Sequence, residues 1–161
     1  IEKGLASGSD DADGGVSRRV LGTLLTWMAE RRTRVFLVAT ANDIERLPPE
    51  LMRKGRFDEI FFVDLPDAAV REAIFRLHLA RRGADAATFD LAALARASEG
   101  FSGAEIEQAV VAALYGAHAR GAQLRDADLA DALAATRPLS VTMAERVAAL
   151  RDWAAERTVP A

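Results

Sequence analysis

Two arginines and a glycine stand directly before an apolar run of the sequence. Arg53 and Arg56 flank Gly55 in ELMRKGRFDEIFFVDLPD, residues 50–67, and the apolar run Ile60–Val63 of a predicted buried strand follows them. A guanidinium stays charged and presents a planar fork of donors that suits a phosphate group. The stretch therefore predicts either a phosphate contact, with a phosphate that could belong to another subunit, or a solvated basic turn.

A neutral amide is the second candidate for chemistry. Asn42 ends the run RVFLVATAN, residues 34–42, which is typical of a strand buried on both faces in a parallel sheet. Ligands bind beyond the carboxyl ends of the strands in such sheets. A neutral amide at that place can orient a water molecule against a terminal phosphate. The alternative is an asparagine that caps a loop.

Two kinds of region must position these residues. Before Pro66 we predict a helix at 16–31, the strand at 34–42, a short helix at 47–52 and a second buried strand at 57–65. After Pro66 strand signals vanish, and we predict helices at residues 67–82, 90–98, 103–120, 126–135 and 143–157. The predicted caps of these helices are Asp67, Asp90, Ser102 with Glu105, Asp126, and Thr142 with Glu145. The fold class is therefore α/β, with residues 1–66 in a sheet region and residues 67–161 in a helical domain.

Composition narrows the classes of function. The 161 residues carry a formal net charge of −3 and no cysteine, which excludes disulfides and thiolate chemistry and fits a cytoplasmic protein. No apolar run approaches the ~20 residues that a membrane span needs, so no membrane partner is expected. Two histidines make a histidine-rich metal site improbable, and no metal site is predicted. Because the chain opens on Ile1, we predict that an N-terminal part precedes it.

The order of these motifs resembles the second half of an AAA ATPase module. The motifs are Ala-Thr-Ala-Asn, then Leu-Pro-Pro-Glu-Leu-Met-Arg-Lys-Gly-Arg-Phe-Asp, a strand, Asp-Leu-Pro-Asp, and a helical domain with Gly-Phe-Ser-Gly-Ala-Glu. GGVSRRVLGTLLTW, residues 14–27, and the tail from Arg137 to Pro160 are similar to the bacterial and plastid branch called hypothetical-chloroplast-frame ATPases. The resemblance implies the C-terminal part of a P-loop AAA sheet core, after Walker B, followed by an α-helical lid domain and a C-terminal helix.

The resemblance also implies roles for single residues. Asn42 looks like sensor 1, and Arg53 and Arg56 look like arginine fingers that face the ATP of the neighbouring subunit. Gly103 and Ala104 resemble the helix start where the backbone approaches adenosine, although a capped helix start is the plain alternative. His78 resembles the histidine near the ribose or adenine, with equal weight for a half-buried helix histidine. ATP and Mg²⁺ would be bound mainly by the missing N-terminal half.

The function that the resemblance implies is ATP hydrolysis at the subunit interfaces of a homo-oligomeric, hexameric ring that remodels a protein partner. The sequence contains no Walker A lysine and no Walker B pair, so we expect the isolated fragment to be inactive, and Glu2 is not the general base. The alternative is a nucleotide-gated scaffold without productive hydrolysis. Nucleic-acid remodelling is disfavoured by the acidic balance, and no His-Glu-x-x-His motif supports a membrane-protease type.

Overall fold

The computed structural model describes residues 13–30, 32–41, 44, 47–53 and 55–160. The chain divides into two compact units, Ile1–Ile60 and Phe61–Ala161. This division lies a few residues before the predicted domain boundary at Pro66, which stays a prediction. Asn42 lies outside the described residues.

The first unit is organised around one amphipathic helix. Helix α1 spans Asp13–Glu30, and a 3-10 helix spans Pro49–Met52. Apolar side chains three and four residues apart on α1 form a stripe that packs on the 3-10 helix. The buried centre of this cluster is Met28 and Leu51, and the partly buried members are Leu21, Leu24, Leu25, Leu37, Leu47 and Phe57. The predicted helices at 16–31 and 47–52 are therefore present with shifted ends.

The prediction of a buried strand at 34–42 is wrong for the part that the structure describes. Residues 34–41 form no strand, and the side chains of Phe36 and Val38 are 94% and 72% exposed. A strand requires a neighbour to accept and donate its main-chain hydrogen bonds. Within the described ranges no strand lies beside this segment, so Phe36 and Val38 stay on the surface and Leu37 is only partly buried.

The predicted strand at 57–65 is mostly wrong as well. Only Phe61–Phe62 forms a strand, β1, and Val63 is 79% exposed rather than buried. Strand β1 pairs in parallel with β2, Val159–Pro160, so that Phe61 lies opposite Val159. The reason is the length of the neighbouring strand, because the two residues of β2 can pair with only two residues of β1.

The second unit is a helical bundle with a C-terminal extension. Its helices are α2 Ala68–Arg81, α3 Leu91–Ala97, α4 Gly103–Ala119, α5 Asp126–Ala134, α6 Leu139–Thr142 and α7 Ala144–Ala155, with a 3-10 helix at Ala86–Thr88. These bounds agree with the predicted helices to within one or two residues, and α6 is an addition. The core is an apolar cluster from α2 to α5, centred on Phe75, Leu79, Ile106, Val110 and Leu129. No helix in the described residues is long and apolar enough to cross a membrane.

Side-chain caps fix where the first three of these α-helices begin. Asp67 and Asp90 accept hydrogen bonds from the N–H groups of Val70 and Ala93. Ser102 and Glu105 form the predicted capping box of α4. The predicted capping box of Thr142 with Glu145 is wrong, because Met143 precedes α7 without a side-chain cap and the Thr142 hydroxyl donates to the Leu139 carbonyl.

The predicted cap of α5 is also wrong in its residue. Arg125 rather than Asp126 precedes the helix, and the Arg125 N–H donates to the Asp128 carboxylate at 3.0 Å. Asp126 serves a longer-range contact, since its carboxylate accepts the Asp90 N–H at 2.9 Å. This hydrogen bond ties the start of α3 to the start of α5.

Candidate functional site

The turn that carries the two arginines requires its glycine. Arg53 directly follows the 3-10 helix, and the Arg56 N–H donates to the Arg53 carbonyl at 3.3 Å. Gly55 between them has φ +90°, a conformation that side chains with a Cβ rarely adopt. The chain therefore turns sharply at Gly55, between the two arginines.

The structure distinguishes the two arginines. Arg56 is half-buried, and its Nη1 donates a 2.5 Å hydrogen bond to the Leu25 carbonyl of α1. Arg53 is exposed, and no group in the described part of the chain accepts a hydrogen bond from its guanidinium. Arg56 thus holds the turn against α1, whereas Arg53 presents its charge to the solvent. Asn42, the third predicted group, cannot be placed relative to them because it lies outside the described residues.

A cavity of about 760 Å³ lies in the second unit, at the start of the helical bundle. One side is the segment from Phe62 to Asp67, which leads into α2, and the other is the C-terminal part of α7. Gly103 lies in the lining, and a Cβ placed on it would be 3.4 Å from the Cδ1 of Ile74. The missing side chain therefore keeps the start of α4 close to α2 and open to the cavity.

The other two residues predicted to contact the nucleoside lie elsewhere. Ala104 is exposed and does not line the cavity. His78 lies one turn further along α2 than Ile74, and its Nδ1 is 3.3 Å from a Glu107 carboxylate oxygen. The predicted set is thus split, with Gly103 at the cavity and His78 outside its lining.

His78 belongs to a small polar cluster between α2 and α4. Arg82 donates from Nη2 to Glu107 at 2.9 Å, and its Nη1 is 3.2 Å from the His78 Nδ1. The hydrogen bond from Arg82 lowers the pKa of Glu107 below its ordinary value. His78 itself is buried. A buried histidine beside an arginine–glutamate ion pair is typical of a structural role. The predicted contact of His78 with the nucleoside stays a prediction.

Arg71 holds the segment before α2 in place. Its side chain is buried, Nε donates to the Ala95 carbonyl at 2.9 Å, and Nη1 donates to the Pro66 carbonyl at 2.6 Å. Ala95 lies in the last turn of α3, where main-chain carbonyls lack helical partners and a positive charge is favourable. One arginine therefore connects Pro66 to α3 and fixes one wall of the cavity.

Asp64 and Arg151 form a contact that sequence reasoning did not find. Arg151 of α7 donates from Nε to Asp64 Oδ2 at 2.8 Å and from Nη2 to Oδ1 at 2.9 Å. This two-pronged hydrogen bonding lowers the pKa of the Asp64 carboxyl below its ordinary value. The two residues are 87 positions apart, so no local pattern could have paired them. The sequence indicated only that each of these two residues lies in a stretch that resembles a known family.

Comparisons with known proteins identify the family of the chain. The model of the ATPase family associated with various cellular activities (AAA) matches residues 2–65, and the model of the AAA+ lid domain matches residues 88–131. The chain belongs to the AAA family of ATPases. Asn42, Arg53 and Arg56 fall in the first match, Gly103 and Ala104 fall in the second, and His78 falls between them.

The chain is also similar to several curated proteins. The AAA domain-containing protein ycf46 of Guillardia theta is 42% identical over 96% of this chain, and that of Pyropia yezoensis is 41% identical over 97%. The ATP-dependent zinc metalloprotease FtsH 1 of Sorangium cellulosum is 43% identical over 65% of the chain and 17% of its own length. The chain spans 31–32% of the length of the two ycf46 proteins. The predicted resemblance to AAA ATPases and to the hypothetical-chloroplast-frame branch is confirmed.

The identification also bears on the predicted fold class. An AAA core and an AAA lid imply a P-loop fold with a helical lid, and the helical bundle of the second unit agrees with that lid. The described residues hold almost no strand, so the parallel sheet of the core is implied by the family and not seen here.

Proposed function

We propose that this chain is the part of an AAA ATPase that follows the Walker B strand, and that the intact protein hydrolyses ATP at the subunit interfaces of a hexameric ring. The work of hydrolysis would be the remodelling of a protein partner, in the cytoplasm. The AAA and lid matches support an ATPase, and the exposed Arg53 is the observation that carries the role at an interface.

The two arginines receive different roles in this proposal. Phosphoryl transfer spreads negative charge over the γ-phosphate oxygens, and an arginine supplied by a neighbouring subunit accelerates it by about 10³- to 10⁵-fold in known cases. Arg53 is exposed, so it reaches a neighbour without giving up a contact. Arg56 donates to the Leu25 carbonyl, so reaching a neighbour costs it that hydrogen bond. Arg53 is therefore the primary finger, and Arg56 positions the turn.

The remaining groups follow from the family pattern and the cavity. Asn42 would orient the attacking water, and the cavity beside Gly103 would receive the adenosine of ATP. Mg²⁺ and the phosphates would be held by a Walker A loop. The 161 residues contain no G-x-x-x-x-G-K-[ST] motif, so residues 1–161 alone are expected to show no ATP turnover.

The test is ATP turnover by the full-length protein carrying Arg53→Ala, Arg56→Ala or, as a matched control, Arg76→Ala on the exposed face of α2. We expect Arg53→Ala to lower turnover by at least about 10³-fold while ATP binding is retained. A mixture of Arg53→Ala with a Walker B variant should regain turnover, because each subunit supplies what its neighbour lacks. Arg76→Ala should behave as the wild type.

Other outcomes would contradict the proposal in distinct ways. Normal turnover by Arg53→Ala would show that the stretch is only a basic turn. A mixture that regains nothing would place the arginine in its own subunit's site. ATP binding without turnover by the wild type would favour the nucleotide-gated scaffold instead.

A further inference from the structure

The C-terminal residues 138–160, here called the C-terminal strap, cross the start of the helical bundle and are anchored at both ends. At the first end, the Leu139 N–H donates to Glu105 Oε1 at 2.6 Å. Ser140 lies so close to Gly100 that a Cβ on the glycine would be 2.6 Å from the serine hydroxyl oxygen. At the second end, β2 pairs with β1, and Arg151 forks onto Asp64.

Between these anchors the strap is lightly packed. Ala154 is the only buried residue of α7, a helix that the structure describes in full. The apolar side chains of Leu139, Val141 and Met143 are exposed. A segment with few buried apolar contacts opens locally at a low free-energy cost. The strap is therefore held by its polar anchors together with a thin apolar contact, in which Ala154 is buried and Val147, Leu150 and Trp153 are partly buried.

The strap also forms one side of the cavity that contains Gly103. Arg151, Ala154, Ala155 and Thr158 line that side, and the segment from Phe62 to Asp67 lines the side opposite. The Thr158 hydroxyl and N–H both hold the strap's own end, since each donates to the Ala154 carbonyl. Small side chains at 154 and 155 leave a smooth apolar wall. The cavity is already open to solvent, and it would lose this wall if the strap moved away.

We propose that the C-terminal strap is a movable wall that closes over a nucleotide in the cavity beside Gly103, with the Arg151–Asp64 ion pair as its latch. The proposal rests on the proposed ATPase function and adds a regulation of the same site. A bound adenosine contacts Ala154 and Ala155 only when the strap is docked, so nucleotide and latch favour the same state. Nucleotide binding and strap docking are consequently coupled, each strengthening the other.

The strength of the latch suits a reversible device. Both partners are about half exposed, with side chains 49% and 43% accessible. Exposed ion pairs shift an equilibrium by roughly 1.4- to 5-fold, and the two-pronged geometry puts this pair near the upper figure. Removing the latch should therefore weaken nucleotide binding by up to about fivefold without preventing folding.

The experiment compares the full-length wild type with Arg151→Gln, the charge swap Asp64→Arg with Arg151→Asp, and the control Arg76→Gln, which removes an exposed arginine outside the strap. Two quantities are measured for each protein. Hydrogen exchange of the amides of Phe61, Phe62 and Val159 reports strap docking, and titration with a fluorescent ATP analogue reports affinity. Circular dichroism verifies that each variant is folded.

We expect Arg151→Gln to speed exchange at the β1–β2 pair and to weaken ATP analogue binding by about two- to fivefold, with partial recovery in the charge swap. Saturating nucleotide should slow the same exchange in the wild type. If Arg151→Gln binds the ATP analogue as tightly as the wild type, the proposed role of the strap is refuted and the proposed ATPase function is not. A wild type that binds no nucleotide would overturn both. Exchange unaffected by Arg151→Gln would show that the ion pair is not a latch.

Discussion

The buried Arg71 gives the sharpest test of how the second unit is held together, and the substitution to make is Arg71→Met. Methionine matches arginine closely in helix propensity and has a long apolar side chain, so the change isolates the guanidinium. The variant loses the hydrogen bonds to the Ala95 and Pro66 carbonyls. It also leaves both acceptors without this donor in a region that is largely shielded from water.

The magnitude follows from these two contacts. A hydrogen bond from a charged donor contributes about 1.5–3 kcal/mol, and the desolvation cost of the buried guanidinium offsets part of the sum. The Ala95 carbonyl also keeps a 3.3 Å hydrogen bond from the Ser98 hydroxyl. We therefore expect Arg71→Met to lower the free energy of unfolding by about 2–4 kcal/mol. For a unit of this size that corresponds to a fall in Tm of at least roughly 8 °C.

The assay is urea unfolding followed by far-ultraviolet circular dichroism, with Arg76→Met as the matched control. Arg76 lies on the same helix but is exposed, so its substitution should change the free energy of unfolding by less than about 0.5 kcal/mol. If Arg71→Met and Arg76→Met differ by less than about 0.5 kcal/mol, the argument that Arg71 ties Pro66 to α3 is refuted.

Three further predictions concern other contacts. Glu105→Gln should cost about 1–2 kcal/mol of unfolding free energy in urea titrations, because one carboxylate accepts from Ser102 and Leu139 together. Gly55→Ala should cost about 1–2 kcal/mol by the same assay, since φ is +90° with open space around the site; an unchanged midpoint would exclude backbone strain. Partial burial opposes ionisation of Glu105, but its hydrogen bonds outweigh this and lower its pKa, and the Arg151 hydrogen bond lowers that of Asp64. Because both pKa values are lower in the folded state, ionisation of these carboxyls stabilises the fold fully above the ordinary values of 4.5 and 3.8, and this stabilisation is lost as the pH falls further. Urea unfolding midpoints measured between pH 2.5 and 7 would show the loss.

The helices of the second unit could be predicted because their signals are local. The side chains of Asp67, Asp90 and Ser102 each accept a hydrogen bond from the N–H three residues further on, so the cap and its donor are visible in one short stretch of sequence. Thr142 carried the same signal and failed, since its hydroxyl donates back to Leu139 instead. A capping pattern shows only that a capping hydrogen bond can form. The surrounding chain decides whether the side chain makes that hydrogen bond or another one.

The strands could not be predicted in the same way. The run around Phe36 has the composition of a buried strand, yet a strand exists only when another strand lies beside it, and composition does not report neighbours. The pairing of Phe61 with Val159 and the ion pair of Asp64 with Arg151 could not be predicted either, because both contacts join distant parts of the chain.

The sequence predicts which residues belong to the candidate site, but it does not predict how their side chains are arranged. The Arg-Lys-Gly-Arg motif indicates two candidate arginine fingers, and only the structure shows Arg56 donating to the Leu25 carbonyl while Arg53 faces solvent. Gly103 was predicted from its place at a helix start and does line a cavity. His78 was predicted from its place on α2, but the Glu107 that engages it lies on another helix.

The parallel pairing of β1 with β2 has a consequence for how the protein is made. Phe61 pairs with Val159, which the ribosome adds 98 residues later (159 minus 61). At about 5–20 residues per second, β1 waits roughly 5–20 s for its partner while α2 to α5 already have their own neighbours. During that wait the exposed side chains of Phe61 and Val63 offer an unpaired strand edge to other nascent chains. Synthesis of β2 therefore ends a period of vulnerability to aggregation.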